Sequence, residues 1–172
     1  DTSITTPVSG GIYFNLVSGA VTPVFSSSLI PGGVPGSFAL ENFAPSPSFM
    51  QALILASSDN EFAVDPAACN SSLSPYPGSA ARLAANTVVG PALPFPPPAI
   101  RLPGRTSVKV VFSSLASTSA EFGHWNALGE DFIGLAFETD SQTDYGWADI
   151  TVNDDYTVTL NGMAYDNSGS AV

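Results

Sequence analysis

Fifteen glycines and fifteen prolines are spread through these 172 residues, and they constrain the fold more than any other feature. Proline removes a backbone donor and clashes with the preceding helical turn, while glycine costs helix stability through lost backbone entropy. A chain punctuated in this way is expected to form short strands joined by turns and long loops. Only 11% of the residues are charged, against about 25% in ordinary soluble domains, so Ser, Thr, Asn, Gly and Pro must cover much of the surface. The length is enough to bury about 70% of the surface that the unfolded chain exposes. One hydrophobic core can therefore stand without a metal or a disulfide.

The order of elements follows from patterning. Residues 1–11 are polar and end in a Gly-Gly pair, which predicts an extended N-terminal arm ahead of a single domain over 12–172. Ile12 to Leu16 is β-branched and aromatic, and Ser37 to Phe43 alternates as a half-buried strand that Pro45 and Pro47 should end. Phe49 to Ala56 is a short apolar run that reads best as a buried strand, and Asp59 to Gly78 reads as loop. Ala80 to Ala85 is the best candidate for a helical turn, halted by Asn86 and the β-branched residues after it. Gly90 to Pro98 should be an extended, stiff strap, because residues before proline avoid the helical region.

The final third carries the clearest signal. Val108 to Phe112 and Phe132 to Phe137 are strands, and Asp140 to Asp144 is a polar turn. Tyr145 to Val152 alternates Tyr, Trp, Asp and Thr against Gly, Ala, Ile and Val, which assigns aromatic and polar groups to one face and small apolar groups to the other. Asn153 to Asp155 turns the chain, Tyr156 to Leu160 pairs back, Asn161-Gly162 marks a kink or a tight turn, and Met163 to Tyr165 closes a three-stranded meander. The expected fold is all-β, an antiparallel β-sandwich of jelly-roll-like character with long Pro/Gly-rich loops and at most one or two short helical turns.

Charge narrows the function. Fifteen acidic residues against four basic ones give a formal net charge of −11, which argues against nucleic acid as a partner, since phosphate contacts need clustered Lys and Arg. Such a surface keeps copies apart at long range and attracts cations, so salt or calcium should matter to self-association. The one cysteine, Cys69, admits no intrachain disulfide. No apolar run reaches the length of a membrane span. The opening Asp-Thr-Ser-Ile-Thr-Thr has no basic or apolar leader, so an exported chain would begin here in its mature form.

Three stretches carry a family resemblance: Ile12-Tyr13-Phe14, the run from Ala80 to Pro91, and above all Phe132 to Phe137 followed by Asp144-Tyr145-Gly146-Trp147 and Thr157 to Tyr165. In these the chain resembles the extracellular domain of PEP-CTERM proteins, which Gram-negative bacteria export and process by exosortase. The resemblance implies export, an all-β domain and residence at a cell surface or in a biofilm matrix, with no enzymatic activity to carry over. The Pro-Glu-Pro motif, membrane helix and basic tail of that family are not in this sequence, and the middle segment with Cys69 and the proline strap departs from its pattern.

Catalytic readings are weak on the residues themselves. His124 is the sole histidine, and no Gly-x-Ser-x-Gly elbow accompanies it. Glu121, Glu130, Asp131 and Glu138 are the carboxylates that a glycosidase would have to pair, but turn and strand-end acids usually serve solvation. No cofactor is expected. Calcium is the one ligand that the turns suggest, with Asp140, Asp144, Asp154 and Asp155 as candidate oxygen donors. Two functional expectations follow. The first is a secreted, non-enzymatic structural protein that polymerises with copies of itself through its arm, with Ile4, Val8 and Ile12 as the contact residues. The alternative is a carbohydrate-binding or adhesive module that stacks extracellular polysaccharide on Trp125, Tyr145 and Trp147.

Overall fold

A computed structural model describes residues 3–7, 10–24, 34–46, 49–57, 60–65, 79–95, 110–117, 129–140 and 142–172. These form twelve strands: β1 (Ile4–Thr5), β2 (Gly11–Asn15), β3 (Val21–Val24), β4 (Ser37–Ser46), β5 (Phe49–Ser57), β6 (Asn60–Phe62), β7 (Val64–Asp65), β8 (Ser79–Ala80), β9 (Val110–Ser117), β10 (Gly129–Thr139), β11 (Gln142–Val152) and β12 (Val158–Asp166). Sheet A has the order β1-β12-β11-β10-β6 and sheet B the order β3-β2-β4-β5-β9, every pairing antiparallel; β7 and β8 form a separate short pair. The described residues contain no helix, and the protein is an antiparallel β-sandwich.

The core lies between the sheets. Ile12, Phe14, Phe38, Leu40 and Ile54 enter from sheet B, and Ile133, Leu135, Phe137, Ile150 and Leu160 from sheet A, all buried in one continuous cluster. Phe14 and Phe38 stack with centroids 5.7 Å apart. The close approach of the layers requires glycine at position 146. A Cβ there would lie 2.6 Å from Leu16 Cδ2, in the turn just after β2, and 2.6 Å from the Ala164 carbonyl.

Two hairpins explain the meander in sheet A. Thr139 and Gln142 face each other across a two-residue loop whose first member, Asp140, has φ 47°, a left-handed conformation that Asp tolerates better than most residues. Between β11 and β12 the Asn153 amide donates to the Thr157 carbonyl (2.9 Å) and Tyr156, at φ 62°, donates to Asn153 (2.9 Å). This is the three-residue turn with a left-handed closing residue. β12 is one strand rather than two. Its register slips between Asp149 and Ile150, so that Leu160 and Gly162 oppose consecutive residues and Asn161 is the extra residue of a bulge.

Several boundaries differ from the sequence reading. Ala80 to Ala85 is extended, not helical: Leu83 exchanges backbone bonds with Phe132 at the edge of β10, and a turn closes from Ala84 to Thr87 through Asn86 at φ 67°. Pairing to an open edge outweighs the helical preference of alanine. Gly90 to Leu93 is a turn rather than a strap, closed by the Leu93 amide on the Gly90 carbonyl (3.0 Å), with Pro91 in the position that its fixed φ favours. β4 runs through Pro45 at a register shift, where no ladder bond has to be donated. β6 and β7 occupy the start of the segment read as loop, and β3 was not foreseen. Pro96, Pro97 and Pro98 lie outside the described residues.

Candidate functional site

The alternation of β11 survives folding intact: Gly146, Ala148, Ile150 and Val152 are buried, while Tyr145, Trp147, Asp149 and Thr151 stand half-exposed on the outer face of sheet A. One end of that face is covered by the segment from Ala81 to Phe95. Leu83 and Val89 pack there over Gly134, where a Cβ would lie 3.1 and 3.2 Å from their methyl groups. Val89 and Val172 exchange backbone hydrogen bonds of 2.6 and 2.8 Å, and Phe95 tilts against Tyr145 at 5.9 Å. Tyr145 is therefore part of a packed outer layer. Trp147 packs against the same layer, edge-on to Phe132 at 5.5 Å and 82°, and stays half-exposed.

Beyond Trp147 the face becomes polar. Asn161 donates from Nδ2 to Asp149 Oδ1 (3.2 Å) and Thr151 Oγ1 (2.9 Å). Asn153 donates to Thr157 Oγ1 (3.0 Å) and Thr159 Oγ1 (3.2 Å), and Thr159 meets Thr5 at 2.8 Å. A concavity of about 610 Å³ opens at this end, lined by Gly129, Thr151, Asn153, Asp154, Asp155 and Thr157.

The four calcium candidates fall in two places. Asp140 is exposed at the β10–β11 turn; Asp144 is buried and accepts from the Thr139 hydroxyl and from Gln142 Nε2 (2.7 Å). Asp154 and Asp155 lie beyond the other end of β11, on the order of 30 Å along the strand. Asp155 Oδ1 accepts from the Thr157 amide (3.0 Å) and hydroxyl (2.6 Å), which lowers its pKa. The structure thus does not bring the four together, and the described residues contain no group of three or more His, Cys, Asp or Glu able to hold a metal.

The carboxylates considered for glycoside chemistry are likewise dispersed. Glu130 and Glu138 lie at opposite ends of β10, about 27 Å apart at strand rise, whereas paired catalytic carboxyls need about 5 to 9.5 Å. Asp131 is ion-paired with Arg82. Glu121, His124, Trp125 and Cys69 lie outside the described residues.

The arm candidates separate in the same way. Ile4 pairs with Leu160 at the edge of sheet A and packs against the core. Val8 lies outside the described residues. Ile12 is fully buried in β2, so it belongs to the sandwich itself and not to an arm. Thr6, missed in the sequence reading, fixes β1 in place: its amide donates to the Val158 carbonyl (2.8 Å) and its hydroxyl accepts from the Val158 amide (2.9 Å). Asn161 was visible only as half of a kink, because its polar role depends on the bulge that turns it outward. No protein-family model matches this chain, and the curated proteins and solved structures compared with it give no match.

Proposed function

We propose that this chain is a secreted, non-enzymatic structural protein of a bacterial cell surface or biofilm matrix, and that copies of it join by exchanging the β1 strand. The observation that carries this reading is the edge of sheet A. β1 and the adjoining Thr6 hold β12 only from Val158 to Leu160, and beyond Leu160 the same edge of β12, Asn161 to Asp166, meets no strand among the described residues. A strand from a neighbour can satisfy the same donors and acceptors as the chain's own, and such exchange adds little cost because the contacts are identical. The low charge content and the resemblance to PEP-CTERM extracellular domains support the location.

The test is a disulfide trap. In a Cys69→Ser background, Thr5→Cys and Thr159→Cys place two thiols at paired positions. Concentrated protein, oxidised and run without reductant, is expected to give a ladder of covalent multimers, and dilute protein an internally bridged monomer. Internal bridges alone at every concentration would refute exchange.

A further inference from the structure

We propose that the outer face of sheet A binds a neutral carbohydrate chain at a subsite made by Trp147, Asp149, Thr151 and Asn161. This goes beyond assembly and does not rest on it, since none of the four residues belongs to β1 or pairs with it.

The geometry that points to a sugar is the adjacency of a ring and a set of unspent polar atoms. Gly162 lies directly across from Asp149, and among the described residues the only atom that a Cβ at Gly162 would meet within 4 Å is Trp147 Cζ3, at 3.8 Å. The indole therefore leans diagonally toward β12, and its benzo edge reaches the Gly162 position, across from Asp149. There Asn161 fixes both Asp149 and Thr151 through its amide group. Among the described residues Asp149 Oδ2 and Asn161 Oδ1 accept no hydrogen bond, and the Thr151 hydroxyl donates none. Two acceptors and one donor, held by a single amide beside an aromatic edge, match a pyranose: hydroxyls that donate to a carboxylate, and a C–H face that stacks on a ring. The net charge of −11 repels uronate and sulfate polymers, so the fitting chain is uncharged. The neighbouring row of Asn153, Thr157 and Thr159 continues the polar surface along the same face.

The test is native affinity electrophoresis of the full chain in gels containing dextran, glucomannan or xylan, with alginate as the anionic control. Retardation by at least one neutral polymer and none by alginate is expected. Asp149→Asn, which keeps the amide bond from Asn161 but removes the carboxylate, should weaken binding roughly three- to tenfold, and Trp147→Ala about tenfold or more. If Trp147→Ala loses its fold by circular dichroism, the outcome for Asp149→Asn decides. Failure of all three neutral polymers to retard the wild type, stronger retardation by alginate, or unchanged binding in a folded Asp149→Asn protein would overturn the proposal.

Discussion

Asn60 ties the two sheets together at one end. It belongs to β6 of sheet A, yet its side chain accepts from the Gly36 amide (2.7 Å) and donates to the Val34 carbonyl (3.2 Å), both in the segment leading into β4 of sheet B. Asn15 completes the arrangement by donating to the Pro35 carbonyl (2.9 Å) and to Ser37 Oγ (2.7 Å). Asn60→Ala strands the buried Gly36 amide without a partner, while the Val34 carbonyl keeps its bond from the Ser37 amide, and should cost roughly 1–3 kcal/mol, read as a lower urea midpoint at unchanged slope. Glu41 behaves in the opposite sense. It is 5% exposed on the outer face of sheet B, beside Ala39 and Leu53, and burial raises its carboxyl pKa. A group raised on folding supports the native state below its unfolded pKa and withdraws that support as pH climbs through the folded value. Glu41→Gln should therefore stabilise the protein at neutral pH, and the advantage should fade on acidification through the carboxyl range. Asp155, whose pKa is lowered by Thr157, contributes above its unfolded pKa and loses its contribution as pH falls. Asp155→Asn should thus weaken the protein at pH 7 and make no difference in strong acid. Melting temperatures of both variants across pH 3–8 check the two signs; an equal advantage for Glu41→Gln at both ends would refute the account of Glu41.

At the scale of the element, β12 shows how a bulge reads a sequence. Its apolar residues run Val158, Leu160, then Met163 and Tyr165, so the period of two changes phase once. Asn161 absorbs the change, and Met163 and Tyr165 pack against the same core as Leu160, with Tyr165 5.5 Å from Phe137. Deleting Asn161 would remove the extra residue and leave Leu160, Met163 and Tyr165 on the core face in unbroken alternation, so the core side chains keep their places. The expected result is a folded protein that lacks the Asn161 bonds to Asp149 and Thr151 and keeps its near-ultraviolet spectrum, as Asn161→Gly should; a deletion variant that fails to fold would mean that the bulge itself is required. The break at Asn161 was legible beforehand only as a kink or a tight turn, whereas the alternation of β11 and the strands around Ile12, Phe38 and Ile54 were plain. The segments that misled share a cause. Ala80 to Ala85 and Gly90 to Leu93 take their form from the edge of β10 and from turn closure, long-range facts that composition cannot report. The candidate face was legible in half: the Tyr145 and Trp147 alternation was plain, while the covering of Tyr145 by Phe95 and the reach of Asn161 to Asp149 join residues from three separate segments.

For the whole molecule, the sandwich and the meander of β10, β11 and β12 followed from punctuation and period, but the place of β1 and β6 beside that meander did not, because β6 joins it only through a crossing of the layers. The same assembly of sheets sets the balance between solitary and associated chains. An excess of eleven negative charges works against every contact between copies, and its range is the Debye length, about 30 Å at 0.01 M salt and about 8 Å at 0.15 M. Backbone pairing at the edge of β12 is short-ranged and insensitive to salt. Raising sodium chloride from 10 to 300 mM should therefore promote association, seen by sedimentation velocity as a shift toward faster species, if strand exchange joins the copies. Calcium separates screening from coordination. With Asp140 and Asp144 at one end of β11, Asp154 and Asp155 at the other, and Asp144 and Asp155 already hydrogen-bonded, calcium at matched ionic strength should add nothing to the effect of sodium. A calcium-specific rise in association or in melting temperature would place a metal site elsewhere on the chain, and association that falls with salt would mean that attraction between charged groups, not edge pairing, holds the copies together.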